Sequence, residues 1–392
     1  MEPMQIVENI YDVGVKDWAV RDFHGYKTER GATYNSYLIM DEHITLIDTV
    51  KAPFADEFLR NIAAVTPLES IENIVINHVE PDHSGAMPAL AKACPNAKFY
   101  ITMQGKNEAI QHYGDVFNFV VVKDGAVLEI GKRTLTFASM AMLHWPDSMA
   151  TYSAYDKLLF SNDAFGQHYA TSKRFDNEVD YGELFYEAKK YFANILWPYA
   201  RLINRAVDKL GNMDIAMIAP SHGVIWKRFI PEIIKSYIDW GNGVKDGSLV
   251  IAYDSMWGGT EKLARAIAAG ASSAGVAVKV FKMSCTPNST VAAELFTASG
   301  FLAGSSTLNS GMLPSMGSLL IYLKGLEPKG KLAAGFGTFG WAGGAQKDME
   351  ELLTKAFGSV ETGYNCKWTA QEKELAAAEQ FGLEFAKKLL VK

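Results

Sequence analysis

His78-Val79-Glu80-Pro81-Asp82-His83 places four metal-capable side chains within six residues, directly after the apolar run Ile71 to Ile76. A buried strand ending in a loop that presents imidazoles and carboxylates together is one way to build a metal site at a sheet edge. Pro81 stiffens the loop, and the crowded side chains gain little from proximity without a cation between them. The other reading is a solvated polar turn. The arrangement favours half of a dinuclear metal centre.

Working outward, the same event recurs. The strand-like segment Arg133 to Ser139 leads into His144-Trp145-Pro146-Asp147-Ser148, Leu158 to Asn162 ends at Asp163, and Ile215 to Ala219 ends at Pro220-Ser221-His222-Gly223. A lone His at a strand end is ordinarily a hydrogen-bonded surface residue. Four strand ends that each deliver His or Asp carry the metal reading, because strands of one sheet gather distant positions into one cluster. Between them, Ile6 to Val13, Thr33 to Met40, Ile44 to Asp48, Lys98 to Thr102 and Phe119 to Val122 read as strands, with a hairpin turn at Asp41-Glu42. Phe54 to Ala64, Gln104 to His112, Tyr181 to Leu210 and Pro231 to Trp240 read as helices.

The chain has 392 residues, 48% of them apolar, which allows two or three domains with substantial cores. A net charge of -6 argues against a nucleic-acid partner. No apolar run approaches the ~18 residues of a membrane span, and the N-terminus lacks a basic segment followed by an apolar one, so no membrane association and a cytoplasmic location are expected. Cys94, Cys285 and Cys366 form no C-x-x-C pair, which excludes a zinc ribbon, a cysteine-ligated iron–sulfur cluster and a fused rubredoxin-type module.

Gly241-Asn242-Gly243-Val244-Lys245-Asp246-Gly247 reads as a linker, which divides the chain into residues 1–245 and 246–392. The first part holds 24 Lys/Arg against 31 Asp/Glu and the second 14 against 13, so the acidity lies in the metal-site half. After the linker the buried-type strand Ser248 to Asp254 runs into Ser255-Met256-Trp257-Gly258-Gly259-Thr260 and a helix beginning near Glu261. Strand, small-residue loop and helix N-terminus form a phosphate cradle, where backbone N–H groups and the helix dipole face the anion. Neither G-x-G-x-x-G nor Gly-Lys-Ser/Thr is present, so neither a dinucleotide nor ATP is indicated. Two further loops, containing Ser305-Ser306-Thr307-Leu308-Asn309 and Gly337-Thr338-Phe339-Gly340-Trp341, follow the strand-like runs Phe301 to Ala303 and Leu332 to Phe336. Trp257, Phe339 and Trp341 offer aromatic surface for a flat ring, and Gln371 to Leu390 reads as a covering helix.

His78-x-Glu80-x-Asp82-His83, followed by His144, Asp163 and His222, resembles the metal domain of the flavodiiron proteins, a variant of the hydrolase pattern H-x-H-x-D-H. The strings His144 to Ser148, Asn162 to Gln167, Pro220 to Gly223 and Arg21-Asp22-Phe23-His24-Gly25 are similar to that family too. The three later loops resemble the flavodoxin fold with FMN across its topological switch point. The resemblance implies an α/β protein: an N-terminal metallo-β-lactamase-like αββα sandwich followed by a flavodoxin-like doubly wound parallel sheet. It implies one iron held by His78, Glu80 and His144, a second by Asp82, His83 and His222, and Asp163 bridging both; in some members the counterpart of His83 swings off the metal. Imidazole and carboxylate donors without thiolate suit iron, and Glu80 is a hard oxygen donor where the zinc hydrolases have imidazole.

The family places His24 and Tyr191 where they donate hydrogen bonds or protons to a metal-bound ligand, and FMN against the residues quoted for the three loops. Ser305-Ser306-Thr307 departs from the usual Ser-Pro-Thr. His43 and His112 read as surface residues, and His168 completes the set. The implied activity is oxidoreduction: a separate small donor such as rubredoxin passes electrons through FMN to a diiron centre that reduces O2 to water or NO to N2O. O2 is favoured, because two ferrous ions and a two-electron flavin hold its four electrons. The implied working unit is a head-to-tail homodimer or a dimer of dimers. The rival readings are a two-metal hydrolase and an electron-transfer flavoprotein with a structural metal site.

Overall fold

The computed structural model describes residues 2–211 and 213–390; the ends of the two expected ranges, residues 1 and 391–392, lie outside them. The chain folds into two compact units. One comprises Met1–Phe23, Thr28–Tyr191 and Tyr199–Asn242, the other His24–Lys27, Phe192–Pro198 and Gly243–Lys392.

The first unit contains two large sheets. The 7-stranded sheet has the order Met4–Val7, Ile10–Asp12, Tyr37–Ile39, Thr45–Ile47, Asn73–Val75, Lys98–Ile101, Phe119–Val121. The 5-stranded sheet has the order Val127–Glu129, Thr134–Ser139, Met149–Ser153, Leu158–Asn162, Met217–Pro220. Their inner faces share one core, in which Ile39, Ile47 and Val75 of the first meet Leu135, Phe137, Leu158 and Phe160 of the second. On its other face the larger sheet is covered by the helices Ala55–Ala63, Met87–Ala93 and Met103–Tyr113, through Phe58, Ile62, Met87, Leu90 and Ala109. Strands buried along their whole length, such as Asn73–Val75 and Leu158–Asn162, are the ones legible as continuous apolar runs.

Two parallel pairings gather the site. Leu158–Asn162 lies beside Met217–Pro220 with Phe160 opposite Ala219, which delivers Asp163 and His222 at neighbouring strand ends. Thr45–Ile47 lies beside Asn73–Val75 with Ile47 opposite Val75, which sets Asp48 next to the His78 loop. Two expected elements are interrupted. Thr33 to Met40 divides into Ala32–Tyr34 and Tyr37–Ile39, because the Asn35 N–H leaves the sheet to donate to Ser221 O (2.8 Å). Tyr181 to Leu210 divides into Tyr181–Tyr191 and Ala200–Leu210, separated by a wider turn and by Trp197–Tyr199, where Pro198 supplies no N–H for a continuous helix.

The second unit is one parallel sheet of five strands in the order Val278–Lys282, Leu249–Asp254, Gly300–Ser306, Leu332–Phe339, Tyr364–Lys367. In chain order this is 2-1-3-4-5, with its switch point between the first and third strands. Separate apolar clusters fill the space under the helices on its two faces.

Candidate functional site

In the first unit the seven expected side chains converge in two groups, His78, Glu80, His144 and Asp163, and Asp82, His83 and His222, each with its ligand atoms within 4.8 Å of one another. In the first group His144 Nε2 stands 3.2 Å from Glu80 Oε2 and 3.3 Å from Asp163 Oδ2, and His78 Nε2 stands 3.4 Å from Glu80 Oε2. In the second, His222 Nε2 is 3.2 Å from Asp82 Oδ2, while Asp163 Oδ1 is 3.0 Å from His83 Nε2 and 3.4 Å from His222 Nε2. Asp163 therefore turns one oxygen to each group. Donors about 2.0–2.2 Å from a shared ion stand about 3–3.5 Å from each other, the spacing seen here.

The crowded atoms do not satisfy one another. His78 Nε2, Asp82 Oδ1 and both Asp163 oxygens are buried and make no hydrogen bond among the described residues. Orphaned polar atoms in a dry pocket are costly unless something charged binds them. Burial opposes a charge on each imidazole, yet Asp163 and Glu80 push His144 up to about 9, and Asp163 with Asp82 pushes His222 up to about 10. Burial likewise opposes the charge on Asp163, and His83, His144 and His222 hold it well below the usual carboxylate range. Without metal, protons supply the positive charge that the carboxylates demand. Four imidazoles and three carboxylates with no thiolate fit a pair of iron ions.

The orientation of the ligands is set by residues that the sequence reading left without a role. Asp147 accepts from His78 Nδ1 (2.9 Å to Oδ1, 3.0 Å to Oδ2) and from Val79 N–H (2.8 Å), leaving Nε2 to face the cluster. His222 Nδ1 donates to Thr33 O (2.7 Å), and the Asn35 amide donates to Pro220 O and Gly223 O (2.9 Å each), fixing the His222 loop. Such carboxylate–imidazole and carbonyl–imidazole contacts fix ring tautomer and direction.

Tyr191 is buried with its ring 5.9 Å from that of His222. His168, fully buried, lies 4.9 Å from the His222 ring and 5.1 Å from that of Tyr191; burial and His222 hold it far below its ordinary value, so it stays neutral. Only tertiary packing reveals it. His24 is exposed, with φ 56°, between the short strands Asp22–Phe23 and Tyr26–Lys27, and is grouped with the second unit. His43 is exposed against Glu72, and His112 is exposed in the last turn of its helix.

In the second unit a cavity of about 390 Å³ is lined by Met256, Trp257, Gly259, Ser306, Thr307, Leu308, Asn309, Thr338, Phe339, Gly340 and Trp341 from the three expected loops. Trp368 and Thr369 line it too, from a fourth strand end that sequence reading missed. Gly258 caps the helix Gly259–Ser273 at φ 80°, a conformation natural to glycine, and the buried Ser255 hydroxyl makes no hydrogen bond among the described residues. Thr260, Ser306 and Thr338 join hydroxyls beneath the cavity (3.0 Å and 2.9 Å from Thr260), while Ser305 and Gly337 sit in the strands behind it. Trp257 and Trp341 stand 94% and 88% exposed at its mouth, open to a flat aromatic ligand. Backbone donors at a helix start, an orphan hydroxyl and aromatic walls fit FMN.

A dinuclear metal pocket on a two-sheet sandwich, followed by a flavodoxin-type unit, defines a metalloflavoprotein oxidoreductase. The ODP family beta lactamase model matches residues 32–223 and the flavodoxin model residues 251–382. A nitric oxide reductase of Moorella thermoacetica is 42% identical over 99% of both chains. The flavodiiron protein of Giardia intestinalis superposes with a TM-score of 0.96 at 36% identity, covering 100% of this chain and 97% of its own. The rubredoxin oxygen:oxidoreductase of Desulfovibrio gigas gives 0.95 at 37% identity, covering 100% and 99%. The chain belongs to the flavodiiron protein family, and its cofactors are FMN and a diiron centre.

Proposed function

We propose that this chain reduces O2 or NO, taking electrons from a small donor such as rubredoxin through FMN in residues 246–392 to a diiron centre in residues 1–245. The observation that carries the reading is Asp163, whose two oxygens face His78, Glu80 and His144 on one side and Asp82, His83 and His222 on the other. In this proposal the first set would hold one iron and the second set the other, with Asp163 contributing to both. When bound, the irons supply two adjacent redox-active cations able to share one small ligand, and the flavin relays electrons to them.

The chain's own residues orient and neutralise. Asp147 and Thr33 aim the imidazoles, and Tyr191 and His24 are the proposed hydrogen-bond or proton donors to a metal-bound ligand. The loop Ser255 to Thr260 would receive the flavin phosphate, and Ser305 to Asn309 and Gly337 to Trp341 would line the ring. O2 and NO are both small and neutral, so no charged residue selects between them, and both are proposed as substrates. The proposal also includes a head-to-tail homodimer or dimer of dimers and a cytoplasmic location. Among the described residues no helix is long and apolar enough to cross a membrane.

Purified protein should carry about two irons and one FMN per chain and, with a reduced donor, consume O2 and NO in parallel assays. Stoichiometric zinc with hydrolytic turnover would overturn the reading. A mixed dimer of a flavin-loop variant and an Asp163 variant should turn over if electrons cross between subunits. A fully active monomer in sedimentation would exclude the paired arrangement.

A further inference from the structure

Asp163 stands at the first position of a tight turn whose shape is held from outside. Gly166 N–H donates to Asp163 O (3.0 Å), which closes the turn Asp163-Ala164-Phe165-Gly166. Phe165, at the third position, has φ 66° although it is bulky and buried. That position of a type II turn ordinarily carries glycine, because L side chains resist the left-handed region. Rotating the central peptide, which joins Ala164 to Phe165, would return Phe165 to an ordinary conformation.

Both edges of that peptide are pinned. Ala164 O accepts from Ser161 Oγ (2.7 Å), and Phe165 N–H donates to the Tyr237 hydroxyl (2.6 Å). Tyr237 is buried on the helix Ile230–Gly241, and its ring lies 4.4 Å from that of Phe165. On the following peptide, Phe165 O accepts from Trp226 Nε1 (2.8 Å) and Gln167 Nε2 (2.9 Å). The turn also lies against other parts of the site: a Cβ added at Gly166 would stand 3.5 Å from His222 Cβ and 3.6 Å from Tyr191 Cζ. A rotated peptide would carry the buried Phe165 N–H away from its acceptor and reshape the surface against which Asp163 and His222 are set.

We propose that Tyr237 is a positioning residue of the metal centre: its hydroxyl holds the Ala164–Phe165 peptide in the strained orientation and so keeps the turn that aims one Asp163 oxygen at each group. Backbone strain of this kind persists only where the surroundings over-determine it. Ser161 holds the opposite edge, so two hydroxyls from distant parts of the chain act on one peptide plane.

This inference rests on the metal-site reading, and the test separates the two. Iron-free protein is titrated with Co2+ against a chelator, and its visible absorption is recorded, for wild type, Y237F and S161A. Y237F keeps the ring and removes the acceptor; S161A removes the donor on the other edge. Because Asp163 faces both groups, each variant should bind both Co2+ ions about tenfold more weakly, the lower end of the effect of removing a residue that orients a ligand. Both should show the same shift in the cobalt spectrum, since they release the same peptide, with FMN affinity unchanged. Should one variant fail to fold, the other against wild type gives the comparison. Wild-type affinity and spectrum in both variants, weaker binding with an unchanged spectrum, or spectra that shift differently in the two, would overturn the proposal. Wild-type protein that binds no Co2+ would instead overturn the metal reading.

Discussion

Gly223, next to His222, offers a prediction whose size follows from the structure. Its φ is +83°, and an added Cβ would stand 1.9 Å from Gln167 Oε1 and 2.6 Å from Gln167 O. Gln167 is fully buried; its Oε1 accepts from Val224 N–H (2.8 Å), and its Nε2 donates to Phe165 O (2.9 Å) and Val224 O (3.2 Å). In Gly223→Ala the left-handed backbone costs about 1–2 kcal/mol. Displacing the Gln167 side chain forfeits three bonds of about 0.5–1.5 kcal/mol each, and its backbone carbonyl has nowhere to go, which gives about 3–6 kcal/mol in all. At about 2–4 °C per kcal/mol, the metal-site unit should melt roughly 6–24 °C lower. The loop also carries the Gly223 N–H bond to Thr33 Oγ1 (2.6 Å) and the His222 bond to Thr33 O, so the ion on the Asp82, His83 and His222 side should be lost while its neighbour stays. Calorimetry and iron analysis on one preparation read both effects. A melting point within a degree or two of wild type, with full iron content, would refute the packing argument for this loop.

Other perturbations address other parts of the account. Asp163→Ala removes the side chain whose two oxygens face both groups and should cost at least one iron per chain, measured by metal analysis against FMN content. Gly258→Asp should weaken FMN binding; no atom lies within 4 Å of the added Cβ, so the cause is its φ of +80° together with repulsion of the phosphate, and flavin titration against Gly258→Ala separates the two. Lys331 is 8% exposed, donates to Phe296 O and Ala298 O, and is lowered to about 7 by burial, then by Lys245. The unfolded chain therefore binds more protons between about pH 7 and 10.5, and stability should rise with pH across that window. Lys331→Met should flatten this slope in urea unfolding of the flavin unit, and an unchanged slope would contradict it.

The fold was legible because both layers advertise themselves: fully buried strands read as apolar runs, and the parallel sheet ends in loops of small residues. The His78 loop was legible because its donors are contiguous. Residues that act through one partner were not, since Asp147 and Asn35 look like ordinary polar residues until tertiary packing supplies His78 and the His222 loop. Trp368 escaped because it is the first residue after the edge strand Tyr364–Lys367, whose alternating burial gives no apolar run. The break in the Thr33 to Met40 strand escaped for a similar reason: only the distant Ser221 carbonyl explains why Asn35 leaves the ladder. Pro198, by contrast, was a visible stop in the helix expected from Tyr181 to Leu210.

The central claim is that the two irons and the flavin act as one reductase. Its most direct measurement is gas consumption by protein with full iron and FMN, supplied with reduced rubredoxin, O2 and NO being followed in parallel with Asp163→Ala as control. The account predicts sustained removal of at least one gas by wild type and none above background by the variant. Wild-type protein with both cofactors bound and its flavin reduced, yet consuming neither gas, would contradict it.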